Sequence, residues 1–488
     1  MHNIVTIGAR TLAAVLLFSS YSLGIASSQK PNILFIIYDD LSVPAVDEQE
    51  SPIQMPYLKK LAGESMIFRN AAANVPVCSP SRASFFSGLL PTSNGSYMNG
   101  SDAWRKPGSP LLNIDSLPEH FTKQGYLTWG AGKLLHAKVA QGRELFDIQS
   151  QATSKYYGFG PFGDDNHPYI LKGTNKFKNI QAWQGPDEDF PDVVNADAAI
   201  EFLQQNHDKP FLMVYGLWRP HTPYTSPKRF FDLYKDHQFS LPDSYRADDL
   251  NDVSEEARSH SDGLRDMQSN GKLDPQIWKQ MLWGYAAGSS FADWNMGRVI
   301  EALDKSDYAS NTIVIVTSDN GYHFGDKNRW GKGTLWENAN AVPLLVRGPY
   351  IRHRETKIPV SLVDIYPTLV DYTDVALPKH KLDGHSLVPI LTGKKRKIAK
   401  ANFSAYVKSG TIRTERWRYI RYVDGSEELY DHKKDPHEHH NLAKDPKRRK
   451  LMDELAKHIP QQWAPSLGGR REVQRQGEEK FFKSEIKL

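Results

Sequence analysis

The stretch that decides the fold runs Asn32-Ile33-Leu34-Phe35-Ile36-Ile37-Tyr38-Asp39-Asp40. Its first seven residues are mostly apolar, β-branched or aromatic, and the run stops at two adjacent carboxylates. A short and continuously apolar run of this kind is typical of a strand that is buried on both faces of a sheet. It predicts a β-strand near the start of the chain, with Asp39 and Asp40 at its carboxyl end.

Three later stretches repeat this pattern of an apolar run followed by polar residues. Helical patterns at residues 196–205 and 279–303 lie between them, and this alternation predicts an α/β layered fold. In such folds, ligands gather at the carboxyl ends of the strands, so the polar residues after each run mark a candidate site. The three runs are Phe211-Leu212-Met213-Val214-Tyr215, Ile313-Val314-Ile315-Val316 and Val342-Pro343-Leu344-Leu345-Val346.

The chain of 488 residues is long enough for one large domain and a smaller one. From about Gly393 it becomes basic and strand-like, and a final helix is expected near its end, which together predict a small C-terminal α+β subdomain. We assign residues 1–28 to a signal peptide, 29–395 to the catalytic domain and 396–488 to the C-terminal subdomain. Near the end of the chain, the histidines are interpreted as a solvated turn rather than a metal-binding tract. They are His432, His437, His439 and His440.

The N-terminus has the features of a secretory signal. Arg10 precedes an apolar run from Leu12 to about Ile25, and Gly24-Ile25-Ala26 offers a small-residue cleavage site. A membrane anchor is the alternative, but the run is short and has no basic stop-transfer flank. We therefore expect an exported protein, periplasmic or extracellular, with no stable membrane insertion after cleavage.

The composition narrows the class of partner. Apolar, charged and aromatic fractions of 39%, 24% and 11% are ordinary for a globular protein and argue against a disordered or fibrous chain. The formal net charge of +4 is too small to indicate a nucleic-acid partner. A local basic pocket for an anionic substrate is still compatible with this charge.

The only cysteine of the sequence stands in Cys78-Ser79-Pro80-Ser81-Arg82 and cannot form an internal disulfide. Ser79 can cap a helix and Pro80 suits a first helical turn, so the segment predicts a helix N-terminus that favours an anion. Arg82, one turn later, can point at the same place, and an unmodified thiol there is expected to be acidified. The alternative is a buried, inert cysteine beside a surface arginine.

Cys78-Ser79-Pro80-Ser81-Arg82 resembles the signature of the type I sulfatases, in which this cysteine is oxidised to formylglycine. The family's other motifs follow in order and the resemblance covers nearly all of the mature chain, although Ser87-Gly88-Leu89 replaces the more usual Thr-Gly-Arg. Two stretches, residues 216–224 and 318–337, resemble the iduronate-2-sulfatase-like branch of the family. The resemblance implies an alkaline-phosphatase-like α/β sandwich with a large mixed central sheet flanked by helices. It also implies a formylglycine-generating or sulfatase-maturating enzyme as a partner that acts on Cys78.

The resemblance further implies a calcium site. Asp39 and Asp40 close an apolar strand, which is unfavourable unless a cation or hydrogen-bond donors satisfy them. Asp319 and Asn320 end a later strand and add two oxygen ligands, although alone they are typical of a turn. Together with residue 78 they form a hard-oxygen set that suits Ca²⁺, with Mg²⁺ as the alternative. The expected metal ligands are Asp39, Asp40, Cys78, Asp319 and Asn320.

Three short motifs contain further residues that are expected to bind the substrate. Gly132-Lys133-Leu134-Leu135-His136 resembles a Gly-Lys-x-x-His element of the family, and would place Lys133 and His136 on one face if it were helical. Arg219-Pro220-His221-Thr222-Pro223 resembles a segment of the iduronate-2-sulfatase-like branch, and Trp330-Gly331-Lys332-Gly333 matches a sulfate-contacting lysine. Without the resemblance, an exposed lysine and a hydrogen-bonded histidine are the simpler interpretation of the first motif. The residues expected to bind substrate are Arg82, Lys133, His221 and Lys332.

A sulfate ester is anionic, so its hydrolysis needs cations around three oxygens and an activated oxygen nucleophile. The resemblance implies a hydrated aldehyde at residue 78, which Arg82 stabilises and from which Asp319 helps to remove a proton. His221 is expected to protonate the leaving oxygen, and His136 to act as the base when sulfate is released. The expected catalytic residues are Cys78, Arg82, Lys133, His136, His221, Asp319 and Lys332.

The expected function is therefore hydrolysis of sulfate esters on a sulfated carbohydrate, such as a glycosaminoglycan or algal polysaccharide fragment. Two alternatives stay open: a phosphonate or phosphate ester hydrolase on the same fold, and a glycan-binding pseudoenzyme. Four aromatic side chains are candidates for stacking on sugar rings. They are Tyr97, Trp104, Trp183 and Trp218.

Overall fold

The computed structural model describes most of the chain between residues 30 and 468. The described ranges are 30–46, 51–100, 103–104, 106–136, 145–150, 158–162, 179–261, 263–264, 267–269, 272–394 and 401–468. The expected signal peptide, the expected domain boundary at residue 395 and the tail after residue 468 lie outside them.

Within the described ranges, twenty strands form one large sheet and several small ones. They are β1 Asn32–Asp39, β2 Met66–Phe68, β3 Ala71–Ala72, β4 Leu127–Gly132, β5 Ile148–Gln149, β6 Ile180–Trp183, β7 Phe211–Pro220, β8 Tyr224–Pro227, β9 Gln268–Ser269, β10 Lys272–Leu273, β11 Thr312–Ser318, β12 His323–Phe324, β13 Trp330–Gly331, β14 Leu344–Arg347, β15 Arg354–Thr356, β16 Val360–Ser361, β17 Ala401–Tyr406, β18 Ser409–Thr414, β19 Trp417–Arg421 and β20 Glu427–Asp431.

The α-helices of the described residues range from single turns to 30 residues. They are α1 Val43–Val46, α2 Pro56–Ala62, α3 Cys78–Ser87, α4 Pro91–Asn94, α5 Leu117–Lys123, α6 Pro191–Leu203, α7 Lys228–Asp232, α8 Glu255–Arg258, α9 Pro275–Asp304, α10 Glu337–Asn340, α11 Ile365–Tyr372, α12 Val388–Leu391 and α13 Arg449–Ala456. Over the described ranges, no helix combines the length and the apolar character that crossing a bilayer requires.

The central sheet has eight strands in the order β15-β2-β14-β11-β1-β7-β4-β5. The inner strands β11, β1, β7 and β4 run parallel, whereas β14 pairs antiparallel with both β11 and β2. The prediction of a large mixed sheet is therefore confirmed. The run that begins at Val342 does form a strand, but in the opposite direction to its neighbour.

Strand β1 divides the hydrophobic core into two halves, because successive side chains point to opposite faces of a sheet. Leu34, Ile36 and Tyr38 pack with helices α2, α6 and α9 on one face. On the other face, alternate residues such as Phe35 pack with α3, α5 and α11. Helices thus cover both faces, which explains why the strand is apolar at every position.

The four parallel inner strands end at the same edge of the sheet. There β1 is followed by Asp40, β4 by Lys133, β7 by His221 and β11 by Asp319. Polar residues that are distant in the chain are therefore brought together where a parallel sheet offers a crevice.

The C-terminal region forms a second, antiparallel sheet in the order β17-β18-β19-β20, against which α13 buries Met452 and Leu455. It is joined to the first region just before α3. Ala405 N donates to the Asn74 carbonyl at 2.9 Å, and Asn74 Nδ2 donates to the Phe403 carbonyl at 2.9 Å. The expected small α+β unit is present, and it contacts the segment that leads to Cys78.

Candidate active site

Helix α3 begins at Cys78, whose side chain is fully buried. Its thiol points at the turn after β1: Cys78 Sγ lies 3.3 Å from Asp39 Oδ1 and 4.0 Å from Asp40 Oδ1. The N-cap is Val77 rather than Ser79, so the expected serine cap is wrong. Instead, Asn99 helps to cap the helix, because its Oδ1 accepts from the backbone N–H of Ser79 at 3.0 Å. The sequence did not reveal this cap, because Asn99 lies 20 positions away from Ser79.

The expected acidification of the thiol is also wrong. Burial raises the pKa of Cys78, and the nearby Asp39 carboxylate raises it further, outweighing the two lysines that lower it. Removing a charged group from water disfavours its ionised form, and a nearby carboxylate adds to this effect. An unmodified thiol at this place stays protonated and is a poor nucleophile.

Arg82 is buried one helical turn after Cys78. Its Nε donates to Asp319 Oδ2 at 2.7 Å, and its Nη1 donates to the carbonyls of Lys133 and Leu134. The guanidinium therefore connects α3 to the ends of β4 and β11. Its Nη2 is buried without a hydrogen-bond partner among the described residues.

Lys133 follows β4 at a point where β4 and β7 approach very closely. Gly216 faces Gly132 across the pair, and a Cβ on Gly216 would lie 1.9 Å from the Lys133 carbonyl oxygen. Position 216 therefore requires glycine. The Lys133 side chain extends to Asp39, with which it forms a fully buried ion pair. Burial alone would raise the pKa of Asp39, but the Lys133 ammonium and other nearby cations hold it well below its usual range.

The segment from Lys133 to His136 is a bend rather than a helix, so the expected shared helical face is not formed. His136 is nevertheless close to the same charges. Burial lowers its pKa to about 2, and Lys133 adds to the effect. The ring is neutral at ordinary pH, and its Nδ1 has no partner in the part of the chain that the structure describes.

His221 follows β7, between two X-Pro bonds that are both cis. Its Nδ1 lies 2.6 Å from the Thr222 carbonyl, which fixes the proton of the neutral ring on Nδ1, and its Nε2 lies 3.7 Å from Asp40 Oδ2. Burial lowers the pKa of His221 to about 4, although Asp39 and Asp40 oppose this. The neutral ring presents the Nε2 lone pair to the site.

Lys332 follows the short hairpin of β12 and β13. Its ammonium contacts both Asp40 Oδ1 and Cys78 Sγ. Burial would lower the pKa of Lys332, but Asp40 and the other nearby anions hold it well above its usual range. The ammonium groups of Lys133 and Lys332 therefore both lie near the side chain of residue 78.

Asp319 and Asn320 complete the set from the end of β11. Asp319 Oδ1 accepts from Asp40 N at 3.3 Å, and burial raises the pKa of Asp319 against the opposing effect of Arg82. Asn320 Nδ2 donates to Asp40 Oδ1 at 2.8 Å. All of the residues expected to act or to hold a metal thus lie together at this sheet edge.

The donors at this edge fit a hard divalent cation. Ligand atoms of Asp39, Asp40, Cys78 and His221 all lie within 4.8 Å of one another. Asn320 Oδ1 is buried yet lacks a hydrogen-bond partner among the described residues, which is costly for an amide oxygen unless something else satisfies it. Carboxylate and amide oxygens are the donor set that Ca²⁺ prefers.

An aromatic wall stands beside Lys133. Its ammonium lies 5.7 Å from the ring centroids of both Phe159 and Trp218, and Phe159 also packs against His221. The sequence did not predict a role for Phe159, because no motif around it indicates that it contacts Lys133 and His221. Of the four aromatics expected to stack on sugars, only Trp218 is at the site. Tyr97, Trp104 and Trp183 are buried in cores elsewhere.

A buried site with two lysines, an arginine and a cluster of carboxylates, at the carboxyl ends of parallel strands, suits a hydrolase that acts on anionic esters. Comparison with known proteins defines it further. The family model described as "Sulfatase" matches residues 31–375, and the model described as "N-sulphoglucosamine sulphohydrolase, C-terminal" matches residues 325–464. The chain belongs to the sulfatase family, and as a member it is a hydrolase of sulfate esters.

Two relatives support this assignment over long alignments. A sulfatase of Formosa agariphila is 32% identical over 445 residues, which cover 88% of this chain and 86% of the relative. Iduronate 2-sulfatase of Mus musculus is 27% identical over 384 residues, which cover 73% of this chain and 67% of the relative. The resemblance to the iduronate-2-sulfatase-like branch is thus confirmed.

Solved structures show the same fold. A 2-O glycosaminoglycan sulfatase aligns with a TM-score of 0.68 at 24% identity, covering 88% of this chain and 91% of that one. A phosphonate monoester hydrolase of Agrobacterium radiobacter aligns with a TM-score of 0.70 at 21% identity, covering 88% and 94%. The expected alkaline-phosphatase-like architecture is therefore confirmed, and both sulfatases and phosphonate hydrolases adopt it.

Proposed function

We propose that this protein removes sulfate from a sulfated carbohydrate, with a formylglycine derived from Cys78 as the nucleophile and Ca²⁺ as cofactor. One observation carries the proposal: two lysines, three carboxylates and two histidines converge on a residue whose own thiol is protonated and buried. These groups suit the chemistry of a sulfate ester, but a protonated thiol does not. A formylglycine-generating or sulfatase-maturating enzyme would oxidise Cys78 to an aldehyde, with loss of the thiol sulfur. The hydrated aldehyde would then supply one oxygen to attack the sulfate sulfur and a second hydroxyl to release sulfate.

The side chains have separate tasks in this proposal. Lys133 and Lys332 neutralise sulfate oxygens, because both ammonium groups border the side chain of residue 78. Arg82 is tied to Asp319 and two carbonyls, so it orients the carboxylate that accepts the proton of the nucleophile. His136, which is neutral and close to Lys133, is the candidate base for sulfate release.

His221 is the candidate acid for the leaving oxygen. Its Nε2 faces the site, while Nδ1 is committed to the Thr222 carbonyl. Because burial lowers the pKa of His221 to about 4, the acid form becomes more populated as the pH falls. Its contribution to catalysis is expected to grow under acidic conditions.

Asp39, Asp40, Asp319 and Asn320 would hold the cation. When bound, Ca²⁺ supplies positive charge that polarises an oxygen on residue 78 and offsets the charge of the sulfate group. The unpaired Asn320 Oδ1 and the close approach of the carboxylates support this assignment.

The carbohydrate part of the proposal rests on the relatives. The printed names of the similar proteins include an iduronate 2-sulfatase and a 2-O glycosaminoglycan sulfatase. The aromatic wall of Phe159 and Trp218 offers apolar surface beside the sulfate-binding lysine. Glycosaminoglycan and algal polysaccharide fragments are the substrate classes to test, and an N-terminal export signal would bring the enzyme to them.

The test combines mass analysis with turnover. Trypsin cleaves after Arg69 and Arg82, so residue 78 is contained in peptide 70–82. Active enzyme should carry an aldehyde in this peptide, and should desulfate members of a panel of defined sulfated oligosaccharides. Full turnover by protein that contains only intact Cys78 would overturn the formylglycine mechanism.

A phosphonate monoester hydrolase is the second candidate, since such an enzyme shares the fold. Sulfate and phosphonate monoesters of one alcohol should be compared under identical conditions, because the leaving group is then constant. A higher kcat/KM for the sulfate ester supports the proposal, whereas a higher value for the phosphonate ester favours the alternative. Undetectable turnover of both by fully modified protein would indicate a glycan-binding pseudoenzyme.

A further inference from the structure

The turn that carries Asp40 has an unusual backbone. Asp40 has a φ of 69°, in the left-handed region that residues other than glycine rarely adopt. Such a conformation is held only when surrounding contacts over-determine it. Because Asp40 Oδ1 contacts Lys332, Asn320 and the Cys78 thiol, the direction of its carboxylate depends on this backbone.

A buried tyrosine hydroxyl bridges the turn. Tyr285, from the middle of α9, donates its hydroxyl proton to the Asp40 carbonyl at 2.7 Å and accepts from Ser42 N at 3.0 Å. A second hydroxyl, on Ser318, accepts from Leu41 N at 2.8 Å and donates to the Asn320 carbonyl at 2.8 Å. The two hydroxyl groups thus bond to the backbone of each residue from Asp40 to Ser42.

The ring of Tyr285 is fixed by neighbours that lead to Lys332. It packs against Phe324 with ring centroids 4.7 Å apart and against Tyr322 at 5.6 Å. The Tyr322 hydroxyl lies 2.9 Å from that of Tyr224, which accepts from Trp330 Nε1 at 3.1 Å. Trp330 precedes Lys332 by two residues, so one aromatic cluster contacts both the Asp40 turn and the lysine segment.

We infer that Tyr285 is a positioning residue that holds the Asp40 backbone so that its carboxylate faces Cys78 and Asn320. The cation part of this inference rests on the proposed function. Tyr285 touches neither the reacting residue nor the expected ligand atoms, and acts only through the Asp40 carbonyl and the Ser42 amide. Losing its hydroxyl should therefore weaken cation binding without removing any ligand.

The test is Tyr285→Phe, with calcium affinity measured from the calcium-dependent shift of the thermal unfolding midpoint. We expect the dissociation constant to rise about tenfold, the scale of one buried hydrogen bond. At saturating calcium, kcat should return to the wild-type value with KM unchanged. This recovery separates a positioning role from the loss of a catalytic group.

Tyr234→Phe is the matched control. Its hydroxyl is also buried and accepts from a backbone amide, Gln54 N, at 2.7 Å, while bonding to Ser290 Oγ at 2.5 Å. It lies away from Asp40, so this variant should lose comparable stability but keep its calcium affinity. Equal weakening in both variants, or unchanged affinity in Tyr285→Phe, overturns the inference while leaving the proposed function in place.

Two further outcomes are informative. A wild-type protein whose unfolding midpoint does not respond to calcium overturns the cation assignment and this inference together. If Tyr285→Phe does not fold, Ser318→Ala removes the other hydroxyl of the same turn. Unchanged calcium affinity in that variant would show that hydroxyl bonds to this turn do not position the Asp40 carboxylate, which overturns the premise of the inference.

Discussion

Two buried clusters of charge in this molecule look alike in composition and differ in how completely their members are paired. The Cys78 cluster comprises Asp39, Asp40, Cys78, Arg82, Lys133, His221, Asp319, Asn320 and Lys332. The Arg418 cluster comprises Glu337, Arg413, Arg418, His432 and Glu438. Each contains a set of carboxylate and histidine atoms close enough to hold a metal ion.

In the Arg418 cluster the charges compensate one another. Arg418 forms ion pairs with both Glu337 and Glu438, Arg413 pairs with Glu337 at 3.0 Å, and His432 Nε2 lies 2.8 Å from Glu438. Glu438 also accepts from the Glu337 amide at 2.8 Å. Burial alone would raise the pKa of Glu337, but Arg413 and Arg418 hold it well below its usual range.

Arg418 Nε makes no aligned hydrogen bond, but it lies 2.6 Å from Glu438 Oε1 in an ion pair. In the Cys78 cluster, by contrast, Asn320 Oδ1 and Arg82 Nη2 are buried without hydrogen-bond partners in the described structure. The difference teaches that closeness of ligand-type atoms does not identify a site. In the Arg418 cluster, the arginines already neutralise the carboxylates, and these ion pairs join the C-terminal sheet to helix α10. A cluster that buries unpaired donors and acceptors is arranged for something that binds there.

The largest effect is expected from substitution of Cys78, the residue at the centre of the Cys78 cluster. Cys78→Ala should lower kcat by at least about a thousandfold, because it removes the precursor of the nucleophile. Cys78→Ser should be nearly as inactive in a host that does not oxidise serine, since a single hydroxyl cannot collapse to an aldehyde. Both variants should keep the thermal unfolding midpoint within a few degrees of the wild type. Substantial turnover by Cys78→Ala would exclude residue 78 as the nucleophile.

A second comparison uses one histidine from each cluster. His221→Ala should slow sulfate esters of sugars by about 10²- to 10⁴-fold and activated aryl sulfates much less, because an acid matters most for a basic leaving oxygen. The loss should increase as the pH falls from 7 to 5, since the pKa of His221 is about 4 and protonation raises its acid form.

His432→Ala is the matched control, because its ring pairs with Glu438 rather than facing Cys78. It should change the turnover of sugar and aryl sulfates by the same factor. Equal losses on both substrate types in His221→Ala would remove His221 from the role of acid.

The third prediction concerns stability. Glu438→Gln removes one of the two carboxylates beside the buried Arg418 and His432 and leaves only Glu337, so it should lower the free energy of unfolding by up to about 3–5 kcal/mol. Glu355→Gln, at the exposed Arg69–Glu355 pair, should cost about 1 kcal/mol or less. Urea unfolding of the two variants measures the difference. A loss for Glu438→Gln no larger than that of Glu355→Gln would show that the Arg418 cluster does not hold the fold.

The smallest effect is a pH dependence next to the Arg418 cluster. Burial raises the pKa of Glu428 from 4.5 to about 7, although Tyr430 and Trp336 donate to it. The stability that protonated Glu428 contributes is complete below pH 4.5 and is lost as the pH rises through about 7. The unfolded chain releases this proton first, so stability falls with rising pH.

Glu428→Gln removes this ionisation. Between pH 4.5 and 8, the free energy of unfolding of the wild type should therefore fall by up to about 3 kcal/mol more than that of Glu428→Gln. Melting curves of both proteins across this range provide the measurement. Parallel curves at every pH would mean that Glu428 does not titrate differently in the folded and unfolded chains.

Much of this architecture could be predicted from the sequence, because apolar runs identify buried strands and their polar ends identify one sheet edge. The direction of β14 could not, since a run that is buried in a sheet looks the same in either orientation. Lys133 and His136 have helical spacing, yet Gly132 has a φ of 75° and the chain bends there. Local spacing cannot exclude such a bend.

The acidity of Cys78 shows a different limit. A helix N-terminus and Arg82 are visible in the sequence, whereas the complete burial that raises the pKa of the thiol depends on residues from many segments. His432 likewise belongs to a histidine-rich stretch that suggested a solvated turn, but it pairs with Glu438 in a largely buried setting. Desolvation is a property of the assembled fold, and a local motif does not contain it.

The position of Cys78 in the folded chain has a consequence for the order of events during synthesis. Its side chain has no exposed surface, and the bent segment before it is covered by Ala405 and Gly333, whose amides donate to the carbonyls of Asn74 and Pro76. Both covering residues leave the ribosome hundreds of positions after Cys78 does. If Cys78 is modified as proposed, a maturating enzyme would reach the thiol most easily before Gly333 and Ala405 are synthesised, so the interval of translation between Cys78 and these residues would favour modification.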